Sequence, residues 1–196
     1  SYLVSYRGSR LIDDASTVFD ASILTGPVAN YPVADSFDRA RERDYSSGDI
    51  PHVFVASAVW DIPWGTGRAR QAEGWLGALV NDWTVATVVT RQSGIPLSVT
   101  QQTNFNAFAG FGTQRPNLVG DPELPSDERT PARWFNTAAF AVAPVFTLGS
   151  ASRNPVRGPG YKNVDLAVSR RIPLPMRSRT ALEIRAEAFN LLKLTG

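Results

Sequence analysis

The side chains that do most enzyme chemistry are few in this chain and poorly spaced for it. His52 is the only histidine. A Ser-His-Asp triad needs a nucleophile and an orienting carboxylate beside the imidazole, and no Gly-x-Ser-x-Gly element occurs. His52 follows Asp49-Ile50-Pro51, so it is expected to sit at a strand start and to hydrogen-bond locally. With one His and no Cys, a His-based or thiolate metal site and a Cys nucleophile are not expected. Glu183 and Glu187 have the spacing of a helical carboxylate pair. On a strand they lie roughly 13 Å apart at a rise of ~3.3 Å per residue, too far for glycosidase chemistry. Asp13, Asp14, Asp35, Asp38, Asp121, Asp127 and Glu128 fall in polar segments without EF-hand spacing and read as solvated loop charge. Gly65-Thr66-Gly67 is not followed by Lys-Ser/Thr, so it is not a phosphate loop. The expectation is a protein that is not an enzyme and that carries neither cofactor nor metal.

Composition narrows the class further. The chain has 196 residues, of which 43% are hydrophobic and 19% charged, too apolar for a disordered segment. Fifteen Gly and 14 Pro disfavour long helices. The net charge is +2, and the basic residues, nearly all Arg, are interleaved with Asp and Glu rather than clustered. That pattern is not a nucleic-acid footprint. No run approaches the ~20 apolar residues of a membrane-spanning helix, so only β structure could cross a bilayer. The chain opens in the strand-like Tyr2-Leu3-Val4-Ser5-Tyr6 without Met or signal peptide, and closes at Leu191-Leu192-Lys193-Leu194. Both ends are expected to cut through structure, and the chain reads as a fragment.

Strands are expected over 2–12, 52–62, 79–92 (resuming at 96–100), 164–174 and 180–190. The last two alternate strictly. Val164, Leu166, Val168, Ile172 and Leu174 share one face with Arg170, and Asp165, Ala167, Ser169 and Arg171 take the other. Leu182, Ile184, Ala186 and Ala188 oppose Glu183, Arg185 and Glu187. A period of two marks strands with one apolar and one polar face, and the charges could pair across the hairpin. Connectors alternate long and short: 13–49 and 101–161 are long and polar, 63–76 and 173–179 short.

Compact soluble domains rarely hold structureless loops beyond ~12–15 residues. Outer-membrane barrels do, with short periplasmic turns and longer extracellular loops. Trp60, Trp64 and Trp75 all fall at the short-turn end, where barrels place an aromatic girdle. The fold class expected is all-β: antiparallel up-and-down strands of a transmembrane β-barrel, a partial barrel of five to six strands with two long loops. A soluble antiparallel sheet explains the alternation equally well, but neither the loop asymmetry nor the Trp placement.

Five stretches carry a family resemblance. Asp49-Ile50-Pro51-His52-Val53-Phe54 resembles a D-x-P-H-x-F strand opening. Asn81-Asp82-Trp83 with Gln92-Ser93-Gly94-Ile95-Pro96 resembles a W…Q-S-G-x-P strand. Trp134-Phe135-Asn136-Thr137-Ala138-Ala139-Phe140 resembles the loop element W-F-N-x-x-A-F. Arg157-Gly158-Pro159-Gly160-Tyr161-Lys162-Asn163-Val164-Asp165 resembles R-G-P-G-x-x-N-x-D, and Arg185-Ala186-Glu187-Ala188-Phe189-Asn190-Leu191 resembles R-x-E-x-F-N-L. In this order they resemble the C-terminal barrel of TonB-dependent outer-membrane receptors, in the Oar-like branch that carries a carboxypeptidase-regulatory-like domain. Leu192-Lys193 departs from that branch, which has Phe-Asn there.

The resemblance implies a place in the Gram-negative outer membrane and a parent receptor that takes up a scarce nutrient, such as a siderophore, peptide or glycan, energised through TonB. It implies as partners the outer-membrane lipid, and a plug domain and TonB reached through other parts of the parent. Asp165, Arg171, Glu183, Arg185 and Glu187 would face the lumen. Arg115, Asn117, Arg153, Asn154 and Arg157 are the loop residues expected to contact the ligand, so their replacement should weaken uptake and leave the barrel intact. The alternative is a soluble or surface β-rich binding module, an adhesin or glycan binder.

Overall fold

The computed structural model describes residues 1–14, 35, 38–65, 67–105, 114–174 and 180–191. In chain order the elements are β1 (Tyr2–Gly8), β2 (Ile12–Asp13), β3 (Asp44–Tyr45), β4 (His52–Asp61), α1 (Gly74–Val80), β5 (Trp83–Gln92), β6 (Pro96–Leu97), β7 (Asn117–Leu118), β8 (Phe140–Ala141), β9 (Val156–Arg157), β10 (Tyr161–Pro173) and β11 (Ala181–Ala188). Single 3-10 turns lie at Arg39–Glu42 and Thr137–Ala139. The chain forms two compact units, one of Ser1–Arg7, His52–Gln92 and Tyr161–Gly196, the other of Gly8–Pro51 and Ser93–Gly160.

The first unit is a five-stranded meander in the order β1-β4-β5-β10-β11. Its register sorts the side chains. Trp60 pairs with Val85, Val85 with Val168, and Val168 with Ala186. Next to that row, Val59 pairs with Ala86, Ala86 with Ala167, and Ala167 with Glu187. Since successive residues alternate faces, Phe54, Ala56, Ala58, Trp60, Val85, Val89, Val164, Leu166, Val168, Ile172, Leu182 and Ile184 form one mainly apolar face, interrupted by Thr87 and, toward the strand ends, by Arg91, Lys162 and Arg170. The opposite face carries Asp61, Thr84, Thr90, Asp165, Ser169, Arg171, Glu183, Arg185 and Glu187, with Val53, Val55 and Val88 among them. Among the described residues of this sheet no strand side chain is buried; each is half-buried or exposed. The buried apolar residues Leu124, Ala139, Ala143, Ala151 and Val156 all belong to the second unit. An apolar sheet face must be covered by something, and here no protein layer covers it among the described residues.

The ends of the strands are fixed locally. Asp82 and Asn190 adopt left-handed backbone, with φ of 63° and 52°, a conformation that Asp and Asn tolerate better than bulky residues. Asp82 starts β5 at Trp83, and Asn190 ends β11. The Asn190 N–H donates to Asp165 Oδ1 at 2.9 Å, and Asn163 Nδ2 donates to Asp165 Oδ2 at 2.8 Å. Arg170, which with Lys162 is one of two charges on the apolar side of β10, lays its guanidinium over the Trp83 ring and donates from Nε to the Asn81 carbonyl at 3.0 Å. A long stem on the apolar face with its charge returned to a turn is ordinary snorkelling.

Several expected boundaries move. Residues 79–82 are not strand: Leu79 and Val80 close α1 and Asn81-Asp82 form the turn. A short apolar run does not distinguish helix from strand by its period, and Asn81 decides it by bracketing Ala72, accepting from its N–H at 3.3 Å and donating to its carbonyl at 2.9 Å. The short connector, expected over 63–76, thus runs on to Asp82 and ends in the helix α1. The expected strand over 2–12 breaks after Gly8, and β10 begins at Tyr161 rather than 164. Of the hairpin turn at 173–179, residues 175–179 lie outside the described residues, as do 15–34 and 36–37 of the segment 13–49, and 106–113 of the segment 101–161.

The remainder of those two long segments is folded rather than structureless. Both contribute to the second unit, where the short ladders β2-β3, β6-β9 and β7-β8 form. A Cβ on Gly94 would collide with the Gly158 carbonyl oxygen, so the Ser93-Gly94 and Gly158-Pro159-Gly160 motifs are matched by close backbone approach.

Candidate functional site

The second unit is held by arginines that reach from residues 114–157 to carboxylates of residues 13–49. Arg157 is the most connected. Its Nη2 donates to Asp49 Oδ2 at 2.5 Å and its Nη1 to the Gly94 carbonyl at 3.2 Å. Its guanidinium lies 4.7 Å from the Tyr45 ring centroid, and its carbonyl accepts from Trp134 Nε1 at 2.6 Å. Asp49 is fully buried, and its Oδ1 accepts the Leu11 N–H at 2.6 Å. Four of the sequence motifs, those at Asp49, Gly94, Trp134 and Arg157, thus meet in one clamp.

Arg153 is 4% exposed and pairs through Nη2 with the Asp13 carboxylate, while its Nε and Nη1 have no partner. Asn154 receives Ser98 Oγ at 2.8 Å and donates from Nδ2 to the Tyr45 carbonyl at 2.7 Å and from its N–H to Asp44 Oδ2 at 2.8 Å. Arg115 is 7% exposed and pairs with the buried Glu42 carboxylate. Glu42 is delivered by the 3-10 turn that Asp38 caps through the Ala40 N–H. Asn117 is half-buried, and its Oδ1 accepts the Ser150 N–H at 3.0 Å.

Arg153, Asn154 and Arg157 are therefore brought together around Tyr45, whereas Arg115 and Asn117 belong to the Glu42 and Ser150 neighbourhoods. All five make contacts inside the loop unit. Asp13, expected as solvated charge, is the partner of Arg153, Asp14 pairs with Arg39 at 3.1 Å, and Glu128 with Arg133 at 3.8 Å. A cavity of about 110 Å³ borders Arg153, Asn154, Ser98 and the Ile95–Leu97 run. That is well below the ~300 Å³ at which small-molecule sites begin.

The sequence pointed to Arg115, Asn154 and Arg157 but missed Glu42, Asp44 and Tyr45, which they respectively contact. The only signal for them was the charge run Asp38–Asp44, which carries no pairing information. His52 does open β4, but its partner is distant in sequence: its Nδ1 lies 2.8 Å from the Tyr6 hydroxyl on the adjacent strand. On the polar sheet face Arg171 is opposite Glu183 in register, and the ion pair formed is Arg185–Glu187 at 2.5 Å within β11.

Burial of Asp49 opposes ionisation. The hydrogen bonds from Arg157 and the Leu11 N–H and the charges of Arg157 and Arg10 outweigh it, holding the carboxyl below its ordinary value of 3.8. A group depressed on folding contributes stability above its ordinary value and loses it as pH falls through the folded value. The clamp is therefore expected to hold at neutral pH and to loosen only below 3.8. The check is hydrogen exchange of the Leu11 amide, corrected for its intrinsic rate. Protection should fall in acid in the native chain and should lose that pH dependence in Asp49→Asn.

A bare apolar face on an antiparallel meander is what a barrel strand shows to lipid. A family model described as outer membrane beta barrel domain matches residues 1–195. The chain belongs to this outer-membrane β-barrel family. Searches of curated proteins and of solved structures found no significant match. For an outer-membrane barrel of Gram-negative bacteria, the face bearing Trp60, Val85, Leu166, Val168 and Ile184 is the one that lipid covers. The partial barrel seen here is all-β in its spanning strands, and α1 stands in a connector.

Proposed function

We propose that this barrel is part of a TonB-dependent outer-membrane receptor that takes up a scarce nutrient of the siderophore, peptide or glycan class. The observation that supports the reading is the clamp: the stretches at Asp49, Gly94, Trp134 and Arg157 that resemble that receptor family are joined by direct contacts and act as one structural device. In this reading the loop unit faces outside and presents a capture surface. Its ion pairs Asp13–Arg153, Glu42–Arg115 and Asp49–Arg157 keep that surface in shape. Asp165, Arg171, Glu183, Arg185 and Glu187 line the lumen and meet the plug or a polar solute. No catalytic step is assigned to any residue.

The test is growth on limiting ferric siderophores, cobalamin, peptides and glycans, comparing the parent strain with deletions of this receptor and of TonB. The reading expects both deletions to lose the same nutrient, and the full-length receptor to restore it only where TonB is present. Uptake unaffected by either deletion, with loss of surface adhesion in the receptor deletion alone, would support the surface-binding alternative instead.

A further inference from the structure

We infer that α1, the helix in the connector between β4 and β5, is a membrane-interface wedge that seats in the headgroup and upper acyl region of the phospholipid bordering the barrel. Its sequence, Gly74-Trp75-Leu76-Gly77-Ala78-Leu79-Val80, holds no charged or polar side chain. At 100° per residue, Trp75, Leu76 and Leu79 fall on one side, and they are 73%, 51% and 59% exposed. Gly77 faces the protein, where a Cβ would collide with the Ala72 carbonyl. The helix is thus oriented by its own small residue, with its large apolar side chains turned away from the protein.

Its position is fixed against the lipid-facing side of the sheet. Trp83 lies on that face, paired with Arg170 of the Val168 row, and its Nε1 donates to the Leu79 carbonyl at 2.7 Å. Trp60, on the same face and at the same strand end, is 61% exposed. The helix is therefore tethered, through the Leu79 carbonyl, to a residue of the surface that lipid already covers. Trp at such a level suits the interface, where an apolar ring and a polar N–H are both accommodated. The connector also carries the exposed Arg70, whose cation suits phosphate headgroups. A solvent-exposed cluster of Trp75, Leu76 and Leu79 would otherwise be an apolar patch left in water.

The experiment uses the full-length protein, cysteine-free elsewhere, reconstituted in phosphatidylethanolamine–phosphatidylglycerol vesicles. A nitroxide is attached at Trp75→Cys or Leu79→Cys, and its collisions with oxygen and with a water-soluble nickel chelate are compared. Severalfold more frequent oxygen collisions at both sites are expected. Preference for the nickel chelate would place the helix in water and overturn the inference. Immobilised label shielded from both probes would mean that protein covers α1, and would overturn it too. Should Trp75→Cys not migrate as a folded barrel on unheated gels, Leu76→Cys carries the label with the same expectation.

Discussion

Arg157→Ala is expected to unfold the loop unit around Asp49 while leaving the five-stranded sheet in place. The substitution strands a fully buried carboxylate whose guanidinium partner has gone. Removing one member of a buried ion pair costs about 3–5 kcal/mol, and the lower end applies because Arg157 keeps some solvent access. Loss of the guanidinium from the Tyr45 ring adds about 0.5–1 kcal/mol. Arg157→Lys should recover only part of this, because an ammonium cannot serve the Asp49 carboxylate and the Gly94 carbonyl as a planar fork does. Limited proteolysis reads the outcome: faster cleavage within 38–51 and 93–105 in Arg157→Ala, with 161–174 still protected. In a double-mutant cycle with Asp49→Ala, strong positive coupling is expected. Additive losses would mean that the two residues do not act as a pair.

The second large effect concerns the sheet. Val168 pairs with Val85 and Ala186 on the apolar face, and its neighbour Ala167 pairs with Ala86 and Glu187 on the polar one. Val168→Arg is expected to destabilise the barrel by about 2–4 kcal/mol, the cost of a cation on the lipid side near the bilayer midplane. Ala167→Arg places the same charge one residue away, opposite Glu187, where an opposite-charge pair is worth a few tenths to about 1 kcal/mol in favour. Reversible denaturant unfolding of the full-length barrel in vesicles measures both. Equal costs at the two positions would contradict the division of the faces.

The spanning strands were legible because one physical rule governs them. A strand between lipid and a polar interior must alternate, and from Val164 onward β10 and β11 do so with Arg170 as the exception, its charge escaping to the Asn81 carbonyl. The motif residues were legible as spelling, and their reasons are local: left-handed backbone at Asp82 and Asn190, close approach at Gly94, and a carboxylate that caps a strand end at Asp165. What stayed hidden was long-range. Asp49 and Arg157 are 108 positions apart and Asp13 and Arg153 are 140 apart, and nothing in a polar segment says which carboxylate an arginine will find. The same blindness made 13–49 and 101–161 look structureless and their charges solvated. The helix α1 was missed for a different reason: seven apolar residues fit either period, and the Asn81–Ala72 bracket that selects the helix is a side-chain contact rather than a pattern.

The two faces of this sheet meet different media. Single cysteines placed along 163–171 of the full-length protein in intact outer membranes, then exposed to a charged, membrane-impermeant thiol reagent, test it directly. Alternation is expected: labelling at 163, 165, 167, 169 and 171, and protection at 164, 166 and 168. Uniform labelling of both sets, or protection of the odd positions with labelling of the even ones, would contradict it.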